Sequence, residues 1–197
     1  MATRRVFSFM IFFLALALVF SGRVVQAETK EKYKRTVENY VVPDVTLVNQ
    51  NGARVKLKTL LNSKKVVMVD FIFTTCTTIC PVLSAGFSNF QKKIGPDSKN
   101  VQLVSISIDP DNDTPKRLRE YLKRYDAKAG WDFLTGSKDD IEKVIKALDA
   151  YASNNFNKMY HLPLALLHSS ADSRWVRIYG LIGTSDLISE YEKVVRQ

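Results

Sequence analysis

Two nearly unbroken apolar runs constrain this chain more than anything else in it: Lys65 to Phe73 (KVVMVDFIF) and Val101 to Ile108 (VQLVSISI). Runs this short and this apolar read as strands buried on both faces. Between them, Leu83, Phe87, Phe90 and Ile94 recur at helical spacing, which makes the connection an amphipathic helix. Two strands joined through a helix pair in parallel with a right-handed crossover. In such sheets the functional site lies beyond the C-terminal strand ends, so the loops after Phe73 and Ile108 are the places to look.

The remaining elements extend that unit. Pro43–Val48 alternates, Asn49–Gly52 turns and Val55–Leu57 alternates again, the pattern of a hairpin. Gly95-Pro96-Asp97 ends the first long helix, which carries Pro81 in its first turn, where the missing N–H costs nothing. Thr114 before Pro115 caps a second helix with Leu118, Tyr121, Leu122 and Tyr125 inward. Trp131–Leu134 reads as a short strand, and Ser137 caps a helix carrying Ile141, Val144, Ile145 and Leu148. Ser153–Asn157 is an irregular polar loop. Strands at 163–167 and 174–179 flank a turn at Ser169–Ser173, and a last helix starts near Ser185. The order resembles a thioredoxin-like α/β domain: a central mixed sheet flanked by helices, with an N-terminal β-hairpin. Its rim gathers three segments, namely the loops after Phe73 and Ile108 and the one before Pro163.

The N-terminus stands apart. Met1–Arg5 is basic and Val6–Gly22 carries no charge over 17 residues. As a helix this run spans about 25 Å, short of the roughly 30 Å hydrocarbon core, and the small residues Val25-Gln26-Ala27 follow. Residues 1–27 are therefore predicted to be a secretory signal peptide. The alternative is an uncleaved anchor in the inner membrane, since a run of this length can span a thinned bilayer. Residues 28–41 are polar and read as a tether with no face to bury, leaving 42–197 as the folded domain. The whole chain carries a net charge of +9, and loss of Arg4, Arg5 and Arg23 with the leader brings it to +6. No basic run interleaves with aromatics, so nucleic acid is not expected as a partner; the charge suits a solvated surface or an acidic partner.

Both cysteines lie in Thr75-Cys76-Thr77-Thr78-Ile79-Cys80-Pro81, between a buried strand and a helix start. Export makes a disulfide possible, but a staple over so small a loop would contribute only about 2 kcal/mol, and two clustered cysteines are no disulfide framework. A helix N-terminus favours thiolate, which serves thiol exchange and metal binding alike. Of the two histidines, His161 falls on the rim with the cysteines, whereas His168 falls at the far end of its strand and is read as a structural residue. Two thiolates with one imidazole form a soft set that suits Cu(I) and can hold Cu(II). Structural zinc normally takes four protein ligands, and no fourth cysteine or histidine is available here except His168.

Three motifs carry a family resemblance. Asp70–Pro81 (DFIFTTCTTICP) holds C-x-x-x-C-P after a strand; Ser105–Pro110 followed by Asp113-Thr114-Pro115 gives S-x-D-P-x-x-D-T-P; and His161 precedes the late hairpin ending in Tyr179-Gly180. In this order and at these separations, from about Val42 to the C-terminus, the chain resembles the Sco/SenC proteins. The resemblance implies a periplasmic copper-binding chaperone that assists copper-centre assembly in cytochrome c oxidase, with a copper-acceptor subunit of the oxidase and a thiol reductant as partners. It implies Cys76, Cys80 and His161 as copper ligands, the same two thiols as a redox-active dithiol/disulfide pair, and Asp109 as a residue orienting the histidine or its loop. Asp113 is expected to form the loop and cap the helix. The same thiols would serve a thiol–disulfide oxidoreductase that carries no metal, and a redox or copper sensor is a third class. His161-Leu162-Pro163 departs from the family pattern, where a small residue follows the histidine.

Overall fold

The computed structural model describes residues 33–151 and 163–196. The predicted leader and His161 lie outside the described residues. An eight-stranded mixed sheet organises the domain, in the order β1-β8-β7-β4-β5-β6-β2-β3. Its strands are β1 (Lys34–Glu38), β2 (Thr46–Asn49), β3 (Arg54–Lys56), β4 (Val66–Ile72), β5 (Val101–Ser107), β6 (Trp131–Thr135), β7 (Leu164–Ser169) and β8 (Asp172–Tyr179). The helices are α1 (Leu57–Leu61), α2 (Ile79–Ile94), α3 (Pro115–Arg124), α4 (Lys138–Ala147) and α5 (Thr184–Val195), with a 3-10 turn over Gly95–Asn100.

The two apolar runs are the parallel centre of the sheet. Every residue of β4 and β5 is buried, and they pair in register from Val66 opposite Val101 to Ile72 opposite Ser107. Side chains alternate across a strand, so β4 feeds two cores. Val67, Val69 and Phe71 pack with Leu57, Leu61, Ile141, Val144 and Leu148 of the α1/α4 side. Val66, Met68 and Ile72 pack with Phe87, Phe90, Leu118, Tyr121 and Leu187 of the α2/α3/α5 side. This two-faced burial is why these strands show no alternation in the sequence.

The expected hairpin is β2–β3, closed at Gly52 with φ +80°, while Asn49 Oδ1 accepts the N–H groups of Asn51 and Ala53. Thr114 and Ser137 cap α3 and α4 through their hydroxyls, as predicted. Three local expectations are corrected. The second arm of the hairpin stops at Lys56 because Leu57 turns inward to start α1. The late hairpin turn is tighter than Ser169–Ser173, since β8 already begins at Asp172. The polar segment 28–41 is more than a tether: Lys34–Glu38 is the edge strand β1, paired antiparallel with β8 from Lys34–Tyr179 to Glu38–Trp175. Backbone hydrogen bonding to a preformed edge needs no apolar alternation, and Glu190 fastens the strand, accepting from Tyr33 Oη at 3.0 Å and Arg35 Nε at 2.7 Å.

Candidate metal and redox centre

After Ile72 the chain leaves the sheet, turns at Phe73–Cys76 through the Cys76 N–H donating to the Phe73 carbonyl (3.1 Å), and enters α2. Thr78 is the N-cap residue, yet its side chain makes no capping bond. The Cys80 N–H instead donates to Cys76 Sγ at 3.4 Å, so the sulfur takes the place of a capping oxygen on one of the unpaired N–H groups of the first turn. Both cysteines are free thiols; Cys76 is half-buried and Cys80 buried.

This geometry separates the two thiols. Burial alone would push Cys76 up, but hydrogen bonds from the Cys80 thiol and N–H and from Thr78 outweigh it, and its thiol lies below the ordinary value. The Thr78 hydroxyl is 3.8 Å from its sulfur. Burial pushes the Cys80 thiol far up, and its hydrogen bond to Cys76 and the nearby Asp70 charge add to the rise. The pair thus offers one half-buried sulfur biased toward thiolate and one buried sulfur held as thiol.

The loop after β5 closes over this turn. Asp109 is buried and its carboxylate accepts from Asn112 Nδ2 at 3.0 and 3.1 Å, while its own N–H donates to Ser107 Oγ at 3.0 Å. Asp113 is fully buried and reaches across to the cysteine loop: the Thr74 N–H donates to its two oxygens at 3.3 and 3.1 Å, the Thr74 hydroxyl donates to Oδ1, and the Ser107 hydroxyl donates to Oδ2 at 2.6 Å. The expected capping role of Asp113 is therefore corrected. Thr114 performs the cap, accepting from the Arg117 N–H, and Asp113 ties two loops together.

His168 lies on β7 opposite Val67, toward the start of β4 and away from the cysteine rim. Its ring stacks on Trp175 at 4.4 Å and its Nδ1 meets the Arg174 carbonyl at 3.1 Å. It is a structural residue, in line with the sequence reading. The chain on either side of residues 152–162 can be followed. Tyr151 lines a cleft of about 110 Å³ with Asp109, Pro110 and Glu142. Pro163 heads β7, whose Ala165 pairs with Asp70 near the C-terminal end of β4, and the Pro163 carbonyl accepts from the Gly180 N–H. Tyr151, beside Asp109, and Pro163, at the head of β7, thus both lie at the end of the sheet that carries the cysteines. Among the described residues no three His, Cys, Asp or Glu side chains converge into a metal site.

One polar group at this site escaped the sequence reading. Asp70 stands in the apolar run of β4, fully buried, on the α2 face with Met68 and Ile72, and neither carboxylate oxygen has a hydrogen-bond partner among the described residues. Burial pushes it up to about 7; the Ser105 hydroxyl, its cross-strand neighbour, lies close enough to temper the rise but makes no hydrogen bond of good geometry to either oxygen. A lone acid inside KVVMVDFIF was the available signal.

Comparisons with known proteins place the fold in a family. A SCO1 protein homolog of Bacillus subtilis is 42% identical over 107 residues, covering 53% of this chain and 54% of that protein. The chain spans about half the length of the curated relatives it matches. The structure of BsSco, described with a disulfide switch and as a member of the Sco family of cytochrome c oxidase assembly proteins, matches at a TM-score of 0.66 and 32% identity, over 81% of this chain and 95% of that one. Bradyrhizobium japonicum ScoI, solved with copper bound, matches at 0.65 and 27% identity, over 78% and 99%. The SCO1/SenC family model matches residues 34–191, a stretch that takes in the cysteine turn, the β5–α3 loop that closes over it and all eight strands: the chain belongs to the SCO1/SenC family.

Proposed function

We propose that this protein is a periplasmic copper-binding chaperone that assists assembly of the copper centre of cytochrome c oxidase, taking copper as cargo on Cys76, Cys80 and His161. The observation that carries the reading is the Cys76 sulfur seated on the Cys80 N–H at the start of α2, half-exposed and biased toward thiolate. Thiolate sulfur is the donor that soft Cu(I) prefers, and the exposed position lets an incoming thiolate of the acceptor subunit reach the ion. Cys80 supplies the second sulfur, losing its proton when the metal binds. His161, two residues before the described head of β7, supplies the imidazole, and Asp109 orients that ligand or its loop. The likeness to Bradyrhizobium japonicum ScoI, solved with copper bound, and to BsSco, of a family of cytochrome c oxidase assembly proteins, supports this reading. Residues 1–27 export the chain or hold it at the inner membrane, with the domain facing the periplasm. Titration of the reduced protein with Cu(I) under anaerobic conditions is expected to saturate at one equivalent and to lose that step in Cys76→Ala; an unchanged titration in the variant would refute the proposal.

The asymmetry of the two thiols favours a second reading, a thiol–disulfide oxidoreductase. Cys76 as thiolate attacks one sulfur of a target disulfide and releases the other as thiol. Cys80 then gives up its proton and attacks Cys76, freeing the second target thiol. The target gains two electrons, the pair becomes a disulfide, and an external thiol reductant restores it. This reading predicts that Cys76→Ser abolishes reduction of a model disulfide, while His161→Ala leaves it intact.

A further inference from the structure

We infer that Asp113 is a positioning residue for Cys76: its buried carboxylate fixes the Phe73–Cys76 turn so that the Cys76 sulfur stays on the Cys80 N–H. The inference rests on the reading of Cys76 as the reactive, metal-binding thiol. The observations are geometric. Asp113 lies 37 positions beyond Cys76 in the chain, on another loop, and is fully buried. It receives three donors at once, the Thr74 N–H, the Thr74 hydroxyl and the Ser107 hydroxyl. Thr74 is held at both its backbone and its side chain, two residues before Cys76. From Thr74 the chain makes a single turn, closed by the Cys76 N–H on the Phe73 carbonyl, before the sulfur meets α2.

A short loop held at only one end leaves its sulfur free to swing. Here one end is the C-terminus of β4 and the other is α2. Asp113 is the clamp between them, and Ser107 and the Asp113 N–H on the Asp109 carbonyl (2.9 Å) anchor the clamp in turn to β5 and its loop. Hydrogen bonds to an ionised acceptor are the strong ones, and the Ser107 contact at 2.6 Å has the length of such a bond. A neutral side chain of similar shape would hold the turn less firmly. A side chain with no acceptor would leave the buried Ser107 hydroxyl and the two half-buried donors of Thr74 without their partner.

The test reads Cys76 directly and needs no copper. Alkylation of reduced Cys76 by iodoacetamide at pH 7 is measured in the full chain for wild type, Asp113→Ala, Asp113→Asn and Ser107→Ala. Leu61→Ala serves as control, since Leu61 is buried on the α1/α4 side of the sheet, across from the cysteines. Losing the bond to the Cys80 N–H is expected to slow alkylation about tenfold or more in Asp113→Ala, from the usual value of a charge-assisted bond. Asp113→Asn keeps an acceptor for the Thr74 N–H and is expected to fall between; Ser107→Ala is expected within about twofold of wild type. Urea unfolding of each protein shows whether the control is destabilised comparably. Wild-type rates in Asp113→Asn and Asp113→Ala, or an equal slowing in Leu61→Ala, would overturn the inference. If Asp113→Ala does not fold, the comparison of Asp113→Asn with Leu61→Ala decides it. Copper binding by Cys76→Ala, measured separately, would refute the proposed function and leave this result standing.

Discussion

Asp70 and Asp113 are both fully buried within the region around the cysteine turn, and they are solvated in opposite ways. Asp113, at the rim, has three donors of the protein in place of water. Asp70, on the central strand, has none. A buried carboxylate with its donors in place holds geometry; one without them is pushed toward the neutral acid. The rim is therefore built to fix a loop, while the floor beneath it carries a group that titrates near neutral pH.

The largest effect should come from removing the satisfied acid. Asp113→Ala takes the acceptor from the buried Ser107 hydroxyl and from two half-buried donors of Thr74 and is expected to cost on the order of 4 kcal/mol in urea unfolding at pH 7; a loss under about 1 kcal/mol would mean that water replaces the carboxylate without penalty.

Asp70→Asn should go the other way. The folded-state value of Asp70, about 7, lies above the ordinary 3.8 of an unfolded chain, so the folded chain holds an extra proton between those values. Stability from this group is complete below about pH 4, falls as pH rises toward 7, and is flat beyond. At pH 8 the amide is expected to gain up to about 4 kcal/mol over wild type, and at pH 4 almost nothing. Equal stabilities at both pH values would show that Asp70 finds partners when charged.

Glu190 sharpens the contrast, being buried with cations beside it. Burial alone would raise it, but bonds from Lys193, Arg35 and Tyr33 bring it below the ordinary value. A depressed folded value contributes stability present above the unfolded value and lost as pH falls through the folded one. Glu190→Gln is expected to cost about 1–2 kcal/mol at pH 7 and to flatten the acid side of the stability profile. Ser107→Ala, which removes one of the donors on Asp113, should have the smallest effect, about 1 kcal/mol.

The elements that bury two faces were readable because burial leaves a composition behind: KVVMVDFIF and VQLVSISI became β4 and β5, and the caps at Thr114 and Ser137 are local chemistry. Strand β1 was not readable, since its hydrogen bonds go to β8, which lies far along the chain, and its sequence carries no apolar period. At the site, the cysteines declared themselves by spacing. The role of Asp113 did not, because a residue before a helix has the same local sequence whether it caps that helix or crosses to another loop. Asp70 was hidden by the apolar run around it.

The central claim is that Cys76 and Cys80 share one copper ion with His161. Copper affinity by competition with a chelator, measured for the reduced wild type beside His161→Ala, tests it most directly. The account predicts that affinity falls by at least about a hundredfold in the variant, more than the loss of an outer hydrogen bond to a ligand would cause, while reduction of a model disulfide continues. Wild-type copper affinity in His161→Ala would contradict it.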